Sequence, residues 1–375
     1  MAEGHLIFSH LADIACAFLR KRYRLTTWQS DKFLPHGHII NQLFLIKKDL
    51  QNTKFRLYLC GETKCANAMK GRNRVFKVGE LHHIYQRTVD GYLIFYSGRD
   101  FLVFFTLFCT LARKYDIQVL GLCLMYDHIH VLVAAPCKSA FSAFVREYTS
   151  RFSRLRNIQY QRKGQFFQHR FGSAPKLGEK KVRTAISYLY NNPVEKKLCV
   201  GAEEFQWCFL AYAHDANPFS EPLKLRESSR PMRRAISEVE ALRAADIPLS
   251  YEFIQRATRK LGAKEIRQLT DFIISQYNCI DYNRLTSFYD SFNKMLLAIH
   301  SNTGSEYQVK EIIFPGSDTI YHRLSSTLRT IRGCSDITSV LALPEQDKRQ
   351  LAWLLAAETG ASPYEIAKFL QFPLN

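Results

Sequence analysis

Two apolar runs, IQVLGLCLM (117–125) and HIHVLVAA (128–135), stand on either side of the turn residues Tyr126–Asp127. Each has strand length and almost no polar residue, so each reads as a buried strand. The second run carries His128 and His130. Side chains alternate along a strand, so the two imidazoles share one face while Ile129 and Val131 point the other way, into the core. Three readings of the pair compete: a packing accident, a metal site, or part of a catalytic centre.

The flanking segments set the fold class. HHIYQRT (82–88) is strand-like, and DFLVFFTLFCTLARKY (100–115) has helical length and ends in basic residues that suit a helix C-terminus. SAFSAFVREYTSRFSRLRN (139–157) is an amphipathic helix, and VRTAISYLYNN (182–192) is a further helix that Pro193 is expected to stop. This order predicts an α+β core: a ferredoxin-like antiparallel sheet with helices on one face. An all-α C-terminal domain is expected to follow. The expected divisions are an N-terminal extension over 1–75, a core domain over 76–214, a linker over 215–232 and a helical domain over 233–375. The linker reading rests on its three prolines and many polar groups. Met69 opens a stretch that reads as a domain start and is a candidate translation start. Within 346–372 two helical periods flank TGAS, and Ser362 with Glu365 forms a capping box, which predicts a helix-turn-helix.

Composition bounds the function. The chain of 375 residues is 47% hydrophobic and 13% aromatic, enough to bury real cores. No apolar run reaches the roughly 20 residues of a membrane helix, and 1–20 lacks the charged start and long apolar core of a secretory signal. Ten scattered cysteines read as reduced thiols, with Cys60 and Cys65 a weak zinc pair. The expected place is the cytoplasm, at the nucleoid. The net charge of +18 points to a polyanionic partner, nucleic acid before membrane.

Two neutral imidazoles suit a borderline divalent ion and leave it open to a substrate oxygen. A third ligand is needed, and SYLYNNPVEKKL (187–198) offers candidates. Tyr188 and Asn192 stand four apart, on one helix face. A tyrosine is a candidate nucleophile and an asparagine carbonyl an acceptable ligand; equally, Tyr188 reads as a core aromatic and NNP as a helix stop.

Four blocks appear together: HHIYQRT, ARKYDIQVLGLCLMYDHIHVLVAAP, GQFFQHRF and YLYNNPVEKKLCVGAEEFQWCFLAY. In order and spacing, from about 80 to 213, the chain resembles the REP-associated tyrosine transposases, among the single-tyrosine HUH endonucleases. The resemblance implies that His128 and His130 are metal ligands, that Asn192 completes the site, and that Tyr188 is the nucleophile, with Tyr190 as its rival. EKK stands where the family has RAG, and FQHRF replaces an aromatic–acid–glycine–arginine–aromatic block; these departures bear on DNA specificity. The last segment is similar to the DNA-binding end of bacterial replication initiators.

The expected activity is therefore that of a transposase. It is a single-stranded DNA endonuclease and strand transferase, dependent on Mg²⁺ or Mn²⁺, that passes through a 5′-phosphotyrosine. The expected partner is single-stranded or hairpin DNA, met by a monomer or homodimer. A non-catalytic DNA-binding regulator derived from a transposase is the alternative. A water-using metal phosphoesterase would want further ligands, of which His169 is the nearest, and an HUH replication initiator is a third. Between Arg146 and Arg183 eleven Lys/Arg face two acids, half the net charge. The predicted DNA-binding residues are Arg151, Arg154, Arg156, Arg162, Lys163, Arg170, Lys180, Lys181 and Arg183. Tyr148, Phe152, Tyr160, Phe166, Phe167 and Phe171 are interleaved as expected base-stacking rings.

Overall fold

The computed structural model describes residues 75–168, 171–301, 318–332 and 337–373. The expectations for the extension up to residue 74, for Met69, Cys60 and Cys65, and for His169 and Arg170 lie outside these residues.

Strands β1 (Leu81–Arg87), β2 (Gln118–Leu124), β3 (His128–Ala134) and β4 (Gly172–Lys176) form one sheet in the order β2-β3-β1-β4. Every neighbouring pair is antiparallel. Helix α1 (Gly98–Lys114) joins β1 to β2, and α2 (Lys138–Gln159) joins β3 to β4. This is the ferredoxin-like path the pattern predicts. Ile84, Leu122, Ile129, Val131 and Val133 share one core with Phe104, Phe108, Phe144 and Tyr148 of α1 and α2.

Helices α1 and α2 are the one-faced layer expected. The sheet's other face is covered as well. Helix α3 (Glu179–Glu195) packs Ile186, Leu189 and Tyr190 against Leu120, Cys123 and Leu132. The reason is legible in β3, where every residue is buried, so both faces need a cover. A register shift between Val119 and Gly121 turns Leu120 and Gly121 toward α3. A Cβ on Gly121 would meet Leu189 Cδ1 at 3.1 Å. Gly121→Val is therefore expected to overpack this contact and cost about 1–3 kcal/mol, read as a lower urea midpoint.

Among the described residues nine further α-helices follow: α4 (Arg230–Ala244), α5 (Tyr251–Thr258), α6 (Ala263–Tyr277), α7 (Tyr282–Thr286), α8 (Phe292–His300), α9 (Thr319–Arg332), α10 (Thr338–Leu341), α11 (Glu345–Thr359) and α12 (Pro363–Leu370). They build on the sheet layers. Tyr251 donates to Asp100 at 2.7 Å, and Arg113 to the Tyr277 carbonyl at 3.1 Å. Leu285, Met295 and Ile299 enter the α3 core. The 215–232 segment is tied down too, since Phe219 N and Ser220 Oγ donate to Asp271.

At the end of the chain, Gly360 takes a left-handed conformation (φ +68°), and Ser362 with Glu365 caps α12 as the capping box predicts. The first residues of α12, Pro363, Tyr364 and Glu365, keep exposure, and the rest of the helix packs inward, with Ile366 through Leu370 buried. Among the described residues no helix is long and apolar enough to cross a membrane. The cysteines described there are free thiols.

Candidate active site

β3 lies beside β1 with His130 opposite Tyr85 and His128 opposite Arg87. That register puts His83, Tyr85, His128 and His130 on the face that α3 covers. The His128 and His130 rings stand 4.9 Å apart and perpendicular, so the pair is side by side as strand alternation predicts.

Asn192 enters between them from α3. His128 Nε2 lies 3.0 Å from Asn192 Oδ1, and Asn192 Nδ2 lies 3.1 Å from His130 Nε2. The outer ring nitrogens are engaged as well. His128 Nδ1 meets Asp127 Oδ1 at 2.5 Å, and His130 Nδ1 meets His83 Nε2 at 3.1 Å. The other Asp127 oxygen accepts from Lys368 of α12.

Tyr188 shares the α3 face with Asn192. Its ring meets His130 edge-on at 5.2 Å and His83 at 5.7 Å. Tyr190 points away: it is fully buried and donates to the Leu120 carbonyl at 3.2 Å, a strut between α3 and β2. One expectation needs correction. Pro193 does not stop α3, which runs to Glu195. Pro193 costs only the bond its missing N–H would make to the Leu189 carbonyl, and the last turn is closed by Lys196, Lys197 and Leu198, whose N–H groups donate to the Asn192, Val194 and Pro193 carbonyls. Asn192 is therefore held by helical backbone, and its amide is aimed rather than loose.

Burial, then His128 and His83, holds His130 well below its ordinary imidazole value, so it is neutral with a lone pair to offer. Burial, then the Lys176 charge, lowers His83 to about 3. For His128, burial pulls down but Asp127, Asp318 and Asn192 outweigh it, and the net shift is upward. Asp127 itself is held below the usual carboxylate range: burial opposes this, but His128 and Lys368 prevail. Burial, then the Asp127 charge, pushes Asp318 up to about 6.

Sequence reasoning missed His83, Asp127, Asp318 and Lys368. Asp127 stood in the quoted turn, and His83 follows once β1 is paired with β3. Nothing local announces Lys368, which is 241 residues from its partner.

His128 Nε2 faces the oxygen of the Asn192 amide and His130 Nε2 its nitrogen, so a divalent ion would be held by the two imidazoles and the amide oxygen only with the amide turned between them. The outer nitrogens are backed by a carboxylate and a histidine, as metal-ligating imidazoles require. Among the described residues no three His, Cys, Asp or Glu side chains cluster as a metal site, so the amide would have to be the third donor. The site is closed: His128 is 8% exposed, Asn192 6% and Tyr188 3%.

The basic run does not form one track. Arg156 is buried; its Nε and Nη2 donate to the carbonyls of Ile94 and Leu93, each at 2.9 Å. It is a core residue and is withdrawn from the DNA-contacting set. Its long apolar stem and fixed donors fit a crevice where two buried loop carbonyls need donors. Tyr148, Phe152, Tyr160, Phe166 and Phe167 are core as well, and Phe171 is half-buried. Arg162 turns back on the carbonyl of Gln165, while Arg151 and Arg183 pair with Glu147 and Glu179. Arg154, Lys163, Lys180 and Lys181 are exposed. Arg154 lies on α2 and Lys163 in the loop after it, whereas Lys180 and Lys181 lie on α3, across the sheet from α2. Arg154 and Lys163 line an open cleft of about 570 Å³ with Ile158. Lys180 and Lys181 begin α3, the helix that carries Tyr188 and Asn192.

No curated protein matches the chain. Among solved structures, a REP-associated tyrosine transposase bound to a REP hairpin matches at 16% identity and a TM-score of 0.33. The match covers 37% of this chain and 81% of that one. The family described as Transposase IS200 like matches over residues 96–192. The segment that supplies His128, His130, Tyr188 and Asn192 is thus similar to the IS200-like transposases.

Proposed function

We propose that the protein is a single-stranded DNA nuclease and strand transferase of the transposase type, with Tyr188 as nucleophile. The observation that carries this reading is the convergence of His128 and His130 on the Asn192 amide, with the Tyr188 ring against His130. The family match over the same residues supports it.

The phenol of Tyr188 attacks a phosphodiester phosphorus. A tyrosine–phosphorus bond forms, the bond to the 3′ oxygen breaks, the phenol gives up its proton and the 3′ oxygen gains one. A free phenol, with a pKa near 10, is a weak nucleophile at neutral pH. A divalent ion, Mg²⁺ or Mn²⁺, held by His128, His130 and Asn192 would polarise a non-bridging phosphate oxygen and offset the charge that builds there. The phosphotyrosine keeps the energy of the broken bond, so a new 3′ hydroxyl can be joined without ATP. Because Tyr188 is 3% exposed, the DNA has to open this face before it reacts.

Lys180 and Lys181 favour the same reading. Cations in a first helical turn oppose the helix dipole by about 0.3–1 kcal/mol each. An anion at that N-terminus would reverse the sign. Lys180→Ala/Lys181→Ala is expected to lower single-strand affinity and reduce the slope of log K against log salt by about 1–2. Arg156→Met should leave that slope unchanged in the folded protein.

The function test reads the ends of the cut strand. A hairpin substrate with Mn²⁺ should yield an upstream piece with a free 3′ hydroxyl that a polymerase extends. The downstream piece should have its 5′ end blocked by protein. A free 5′ phosphate instead would mean that water attacked, and would contradict the assignment of Tyr188.

A further inference from the structure

Resting on the metal-dependent reading of the histidine pair, we propose that α12 completes the active site: Lys368 is a positioning residue that fixes His128 through Asp127. Three groups stand in series. The Lys368 ammonium bonds one Asp127 oxygen, the other oxygen meets His128 Nδ1 at 2.5 Å, and His128 Nε2 faces Asn192 at 3.0 Å. A carboxylate behind an imidazole fixes the ring's tautomer and plane and so the direction of its lone pair. A carboxylate held at one oxygen only is free to swing; Lys368 removes that freedom.

Two observations separate this from an ordinary surface ion pair. First, the pair is sheltered: the side chains of Lys368 and Asp127 are 8% and 19% exposed. Burying a lysine and a carboxylate is costly, and an apolar pair of like volume serves stability as well or better. An ion pair kept here is therefore better explained by what it orients than by what it stabilises. Second, α12 is seated by contacts that do not use Lys368. Tyr96 donates to the Phe369 carbonyl at 2.6 Å, and Gln371 Nε2 donates to Tyr96 at 3.0 Å. Next to it Tyr126 Oη lies 2.6 Å from His322 Nε2, which ties the β2–β3 turn to α9. The helix is thus a fixed platform, and the lysine spans from it to the turn that holds His128. The C-terminal helices then act on the chemistry itself, apart from any grip on DNA.

The test uses Mn²⁺ alone as probe on the full chain, with binding read from the free-ion electron paramagnetic resonance signal. Lys368→Met is expected to weaken Mn²⁺ binding about 10-fold or more, with adduct formation falling in parallel, and Lys368→Arg to recover most of it. Should Lys368→Met not fold, the cycle through Asp127 decides. Asp127→Asn/Lys368→Met should bind Mn²⁺ no worse than Asp127→Asn alone, since the lysine then has no carboxylate to hold. Wild-type affinity in Lys368→Met, tighter binding, or additive losses in the cycle would overturn the proposal while leaving the site reading intact. A wild-type chain that binds no Mn²⁺ would overturn both.

Discussion

Arg156→Ala is expected to lower the stability of the protein by about 2–5 kcal/mol, among the larger effects of any single change in the described residues. Removing the guanidinium leaves the Leu93 and Ile94 carbonyls without their donor, at about 1–3 kcal/mol each. It also removes a cation that lies 4.2 Å from the Phe166 ring centre and 4.7 Å from that of Tyr160. Such a desolvated contact contributes about 1–2 kcal/mol. The desolvation recovered when a buried charge disappears offsets part of the sum. Urea unfolding followed by circular dichroism measures the change. A wild-type midpoint together with a weakened grip on DNA would return Arg156 to the DNA-contacting set.

Asn192→Ala is expected to abolish the stabilisation that Mn²⁺ confers. A ligand that binds only the folded state adds about 2.7 kcal/mol at 100 times its dissociation constant. That is a rise of several degrees in the melting temperature at saturating metal. Without the amide the two imidazoles are left as the sole donors, and affinity should fall about 100-fold or more. The metal-free melting temperature moves far less, because only two hydrogen bonds of the amide are lost. Melting curves with and without Mn²⁺ separate the effects. An undiminished Mn²⁺ shift in Asn192→Ala would place the metal elsewhere.

The sheet and its site were legible because they are local in sequence. Strand alternation alone put His128 and His130 on one face, and helical spacing put Tyr188 and Asn192 on another that meets it. Tyr190, two positions from Tyr188, fell on the opposite side by the same arithmetic and proved to be a strut. Charge counting misled at Arg156 and at the rings beside it. A stretch rich in arginine and aromatics has the same composition whether it lines a DNA groove or fills a core, and only the third dimension decides. Pro193 misled because its cost depends on how near the helix end it falls. Lys368 was invisible for a different reason: a contact across 241 residues has no period and no motif. The second helix of the predicted helix-turn-helix is likewise real as a helix, but its burial follows from a partner surface that no local pattern encodes.

The most direct test of the account is covalent capture. Labelled hairpin DNA is incubated with Mn²⁺ and wild-type protein, Tyr188→Phe or Tyr190→Phe, and the products are run on a denaturing protein gel. The account predicts label on the wild-type band, lost with EDTA, reduced at least about 10³-fold in Tyr188→Phe and retained in folded Tyr190→Phe. Label that persists in Tyr188→Phe, or wild-type protein that binds the hairpin tightly and never becomes labelled, would contradict it.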